Sequence, residues 1–109
     1  MAYDEGLAQR VREILQTQTD IEEKRMFGGL AFMVDGYMCC GVLGSELMVR
    51  VGPDRYEEAL CQSHVREMDF TGKALTGFVY VGEAGLEDDT DLKSWIRQAL
   101  TYVHSLPEK

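Results

Sequence analysis

The chain has 109 residues, of which 45% are hydrophobic and 28% charged, and its formal net charge is −8. This composition is typical of a globular protein, and the length predicts a single domain over residues 1–109. An acidic chain without a basic block is unsuited to tight autonomous DNA binding or to adhesion to an anionic membrane, because both depend on clustered Lys and Arg.

The termini and the apolar runs bear on the compartment. No apolar run approaches the ~20 residues that cross a bilayer. Asp4 and Glu5 lie where a secretion signal would be basic. We therefore expect a cytoplasmic protein that has no membrane partner.

The first half of the chain predicts one helix followed by strands. Apolar residues at helical spacing predict an amphipathic helix over residues 4–18. Short apolar stretches at 26–27, 30–34, 37–43 and 47–51 are separated by turn residues at 28–29, 35–36 and 44–46. Such regular punctuation is typical of an antiparallel meander.

The second half predicts two helices and one more strand. Gly52 and Pro53 begin a short helix, a turn follows at 71–73, and a strand at 77–82 leads to an acidic loop. Asp89 or Thr90 can cap the final helix. Its apolar residues keep the spacing of a buried stripe: Leu92, Trp95, Ile96, Ala99, Leu100 and Val103.

These elements predict an α+β fold. The order is α-β-β-β-(β)-α-β-α, with three helices and an antiparallel sheet of four to five strands. Both faces of the strands are apolar, as Phe32 and Met33 illustrate. Since the helices can cover one face, we expect the other to be partly covered by their flanks or buried against a partner, and we expect a homodimer.

The cysteines and histidines supply the candidates for chemistry. Cys61 and His64 are spaced as C-x2-H, and thiolate and imidazole are zinc ligands. Neighbouring strand residues point to opposite faces, so only one of Cys39 and Cys40 could join them. Cys39, Cys61 and His64 are therefore the candidate metal ligands. The alternative is that the thiols are free and that the buried ones act as small hydrophobic residues.

No complete catalytic set is visible, and we assign no catalytic or cofactor-binding residue and expect no cofactor. The leading hypothesis is a non-enzymatic protein-interaction module. The alternative is a small-ligand or metal-binding protein with unrecognised catalysis that uses the same Cys and His residues.

Five separated blocks carry a family resemblance: RMFGGLAFMVDG at 25–36, LMVRV at 47–51, YEEAL at 56–60, VREMDF at 65–70 and GFVYV at 77–81. With these blocks in order, the chain resembles the TfoX/Sxy N-terminal domain from end to end. The resemblance implies a secretion-chaperone-like two-layer α+β sandwich. It also implies kinship with bacterial regulators of natural competence, which act as coactivators of transcription.

The resemblance also shapes the expected function. The full-length regulators carry a second, helical domain, whereas this chain ends at Lys109, so we expect a standalone copy. Its expected partner is a protein such as a transcription regulator. The candidate interaction residues are Arg25, Arg50, Arg66, Glu67 and Asp69. Solvated strand ends and internal salt bridges are the alternative interpretation of these charges.

Overall fold

The computed structural model describes residues 3–18, 21–26, 28–69 and 74–107. Within these ranges the elements are α1 (Glu5–Leu15), β1 (Ile21–Met26), β2 (Gly29–Val34), β3 (Tyr37–Leu43), β4 (Glu46–Arg50), α2 (Tyr56–Leu60), β5 (Val65–Asp69), β6 (Ala74–Val81) and α3 (Asp89–His104). The strands form one antiparallel sheet in the order β1-β2-β3-β4-β6-β5. The predicted α+β class is confirmed.

Both long helices begin at an aspartate cap. Asp4 Oδ1 accepts a hydrogen bond from the Leu7 N–H at 3.1 Å, and Asp88 Oδ1 accepts one from the Thr90 N–H at 2.9 Å. The cap of α3 is therefore Asp88, and the prediction of Asp89 or Thr90 is wrong by one or two residues. Each carboxylate satisfies a backbone donor that has no partner inside the helix.

The β2–β3 hairpin turns at the predicted position. Asp35 and Gly36 both have positive φ, 53° and 84°. Two positive φ angles in succession give a turn whose twist matches that of the flanking strands. The turn predicted at 71–73 lies outside the described residues.

The sheet has six strands among the described residues, whereas the sequence predicted four to five. The strand that was not predicted is β5, where Val65 pairs with Val81 and Arg66 with Tyr80. Among the described strands β5 pairs only with β6 and lies at the edge of the sheet, where charged residues are tolerated. These charged residues break the apolar pattern by which a strand is predicted.

The helices pack on one side of this sheet. α3 contacts β3 and β4, α2 contacts β5 and β6, and α1 contacts α3 and β3. The main core lies between the layers, with fully buried side chains such as Phe32, Leu47 and Ile96. No helix in the described part of the chain is long and apolar enough to cross a membrane.

Candidate interaction surface

The face of the sheet that points away from the helices carries its own apolar cluster. Met48 on β4 lies opposite Gly41 on β3 and Tyr80 on β6. Met48 and Tyr80 form a cluster separate from the main core, and no described helix residue belongs to it. Three partly buried side chains pack against this pair: Met38, Leu43 and Phe78. We call this side of the sheet the open face.

The side chain of Met48 extends over Gly41 of the neighbouring strand, β3. A Cβ atom at Gly41 would lie 2.9 Å from Met48 Cε and 2.9 Å from the carbonyl oxygen of Leu30. Glycine at this position therefore lets the methionine lie flat against the sheet. As a result Met48 is only 5% exposed although no helix in the described part of the chain covers it.

An ion pair spans Tyr80. Arg66 on β5 and Glu46 on β4 flank β6, and Arg66 Nε donates to Glu46 Oε2 at 3.1 Å. A second bond joins Arg66 Nη2 to Glu46 Oε1. The guanidinium carbon lies 4.5 Å from the centre of the Tyr80 ring, a cation–π contact. The pair therefore covers the ring with a charge-balanced layer.

Burial of the phenol raises the pKa of Tyr80, an effect that Arg66 opposes and Glu46 reinforces. The hydrogen bond with Glu46 raises the pKa of Arg66. Both shifts follow from the geometry, because Tyr80 is 3% exposed and the guanidinium shares two bonds with one carboxylate.

Arg50 lies among aromatic rings at one end of the open face. Its guanidinium carbon is 5.3 Å from the ring centre of Phe78, 5.4 Å from that of Tyr102 and 5.8 Å from that of Tyr37. Since Tyr102 belongs to α3 and the other rings to the sheet, the cation joins the two layers. Arg50 therefore has a structural role besides any role in binding.

The predicted interaction residues do not share one surface. Arg50 and Arg66 belong to the open face, opposite Phe78 and Tyr80. Arg25 lies opposite Leu30 and Glu67 opposite Val79, both of which face the helices. The side chain of Asp69 lies outside the described residues. That these five residues take part in binding together remains a prediction.

Glu67 lies on the side of β5 that faces the helices, where α2 contacts this strand. The pKa of Tyr56 on α2 is raised by burial and, to a lesser extent, by the Glu67 carboxylate. Arg66 pairs instead with Glu46 across β6, a partner 20 residues away in the chain that no local sequence pattern indicates.

A β-bulge places Cys39 and Cys40 on the same side of β3. Phe32 pairs with Cys40 and Met33 with Met38, so Cys39 is the extra residue. Both thiols are fully buried in the main core. The prediction of opposite faces is therefore wrong. The pKa of Cys40 is raised well above its usual value, mainly by the hydrogen bond with Cys39 and secondly by burial.

The structure does not bring the candidate metal ligands together. Cys39 is buried in β3, whereas Cys61 is exposed at the end of α2 and His64 is exposed in the loop that follows. His64 has a φ of 69°, and its carbonyl oxygen accepts the Gly82 N–H at 2.7 Å. In the part of the chain that the structure describes, no three His, Cys, Asp or Glu residues form a potential metal site.

The described residues thus form a two-layer α+β domain whose helices cover one face of the sheet, while the other face carries an apolar cluster of its own. Residues 13–102 match the family model of the TfoX N-terminal domain. This match covers most of the chain, which therefore belongs to the TfoX N-terminal domain family, a family of competence-related regulatory domains. No curated protein and no solved structure matches the chain.

Proposed function

We propose that this domain is a non-enzymatic regulatory module that binds another protein, such as a transcription regulator, through the open face. The observation that carries the proposal is the apolar cluster built around Met48 and Tyr80 on the side of the sheet that no described helix covers. Leu43 and Phe78, which pack against this cluster, remain partly exposed. Apolar side chains in such a position are typical of protein contacts.

The charged residues also support the open face as the binding surface. Among the described side chains, the strand positions of the open face carry three cations and two carboxylates: Lys24, Arg50, Arg66, Glu22 and Glu46. In a chain of net charge −8, these five side chains leave a small excess of positive charge on this face. A partner with apolar side chains and nearby carboxylates complements it.

The test is affinity capture of the tagged protein from its own cell lysate, followed by mass spectrometry. Leu43→Asp places a carboxylate on the open face, and Leu100→Asp is the matched control because Leu100 is equally half-buried but belongs to α3. Circular dichroism first establishes that both variants fold. We expect the Leu43 variant to lose proteins that the wild type and the control retain. Equal capture by all three would refute the open face as the binding site.

A further inference from the structure

Strand β1 forms an edge of the sheet and carries an ordered run of charges. It pairs with β2 on one side, and no described strand pairs with its other side. Its sequence places Glu22 and Glu23 before Lys24 and Arg25, and all four residues are exposed. One half of the strand is therefore acidic and the other half basic, and its net charge is zero.

The order of these charges selects a partner. Charged residues on an edge strand hinder unwanted pairing in general. Antiparallel pairing of β1 with a second β1, however, places the acidic half opposite the basic half, whereas parallel pairing would oppose like charges. The other edge strand, β5, lacks this division, since Arg66 is followed by Glu67 and Asp69.

We propose that β1 is a homodimer interface, in which two copies pair antiparallel and join their six-stranded sheets into one. The proposal is independent of the binding function proposed for the open face, because it concerns the edge and not the face. We choose a second copy of this chain as the partner because the order of charges on β1 is complementary to β1 itself in the antiparallel direction.

The twofold axis fixes which residues oppose each other. In an antiparallel pair of identical strands the axis is normal to the sheet, so opposed residues share a face. Centring the pair on Glu23 opposes Glu22 to Lys24 of the second copy, twice, on the open-face side. Centring the pair on Lys24 would oppose Arg25 of the second copy to Glu23, which Arg12 already holds, and would set two Lys24 ammonium groups against each other. Each ammonium group then has only the distant Glu22 of its own copy, at 3.8 Å, to offset the repulsion.

The centre on Glu23 opposes two carboxylates, but each is already neutralised. Arg12 on α1 holds Glu23 by two bonds, Nε to Oε2 at 2.7 Å and Nη2 to Oε1 at 2.9 Å. Arg25 of the second copy lies opposite Ile21, beside a groove of about 240 Å³ between α1 and β1. Ile21, Glu23 and Arg12 line this groove, so the apolar part of the arriving Arg25 side chain lies beside Ile21, next to the Arg12–Glu23 ion pair.

The dimer extends the sheet without covering the open face. Because the axis is normal to the sheet, the two open faces lie side by side on the same surface. A partner bound there therefore has access to both copies.

A charge-exchange experiment tests the interface. The molar mass in solution is measured by light scattering and sedimentation at micromolar concentration for the wild type, Lys24→Glu, Glu22→Lys, the double variant and an equimolar mixture of the two single variants. We expect a wild-type dimer, dissociation constants raised by about tenfold or more in each single variant, and recovery in the mixture and in the double variant.

Lys93→Glu is the matched control, since it makes the same change in net charge at an exposed position on α3. It should leave the mass unchanged. A monomeric wild type would overturn the proposal, as would an equal loss in the Lys93 control. A dimer that resists both single charge changes but is abolished by Leu43→Asp would assign association to the open face instead and would equally overturn it.

Discussion

Arg66 and Glu46 meet across a strand to which neither belongs. Arg66 lies on β5 and Glu46 on β4, and between them β6 presents the ring of Tyr80 beneath the guanidinium. Such a pair ties together three strands at the less regular edge of the sheet. Its two-point geometry distinguishes it from the isolated surface ion pairs that contribute little to stability.

Replacing Arg66 should therefore destabilise the domain measurably. Arg66→Gln removes both bonds to Glu46 and the cation over Tyr80, and we expect the free energy of unfolding to fall by about 1–2 kcal/mol. Urea denaturation measures this change. The stability of Arg66→Lys should lie between those of the wild type and Arg66→Gln, because lysine keeps the positive charge but cannot form two parallel hydrogen bonds with the carboxylate. Arg97→Gln, at an exposed position of α3, should stay within about 0.5 kcal/mol of the wild type.

Stability should decline in alkaline solution. The pKa of Tyr80 and that of Tyr56 are raised in the folded state, chiefly by burial. The unfolded chain therefore loses these protons first as the pH rises through about 10, which favours unfolding; below that pH the contribution is fully present. Denaturation at a series of pH values measures the slope. Tyr80→Phe should flatten it, and an unchanged slope would show that this phenol is not the source.

The three cysteines should divide into one reactive and two protected thiols. Cys61 is exposed, whereas Cys39 and Cys40 are fully buried, and the raised pKa of Cys40 keeps it protonated. A thiol-reactive disulfide reagent should modify one thiol per folded chain and all three after denaturation. Cys61→Ser should abolish the fast reaction. Any fast-reacting thiol that remains in the Cys61→Ser variant would mean that the bulge on β3 opens readily.

Gly41 should not tolerate even a methyl group. Gly41→Ala brings Cβ against the Leu30 carbonyl oxygen and against Met48, and we expect a loss of about 1–3 kcal/mol in urea denaturation. Combining it with Met48→Ala should not restore stability, since the backbone oxygen remains in place. Gly6→Ala in α1 is the control. Its Cβ would lie 3.2 Å from Asp4 Oδ1, the oxygen that caps α1, but this atom belongs to a side chain that can shift, and alanine is favoured over glycine in a helix by about 1 kcal/mol.

Local patterns determined much of this protein. The helical spacing of apolar residues placed α1 and α3, and the Asp35-Gly36 pair placed the β2–β3 turn, since periodicity and turn geometry depend on neighbours in the chain. The five sequence blocks also identified the family that the match over residues 13–102 shows.

Only the tertiary structure decided the rest. The bulge that turns Cys39 and Cys40 to one side depends on the register with β2, and the partner of Arg66 depends on β6 inserting between β4 and β5. Strand order, register and edge position arise from contacts between residues far apart in the chain, which periodicity cannot encode. For the same reason the open face and the edge position of β1 could be recognised only from the order of the six strands.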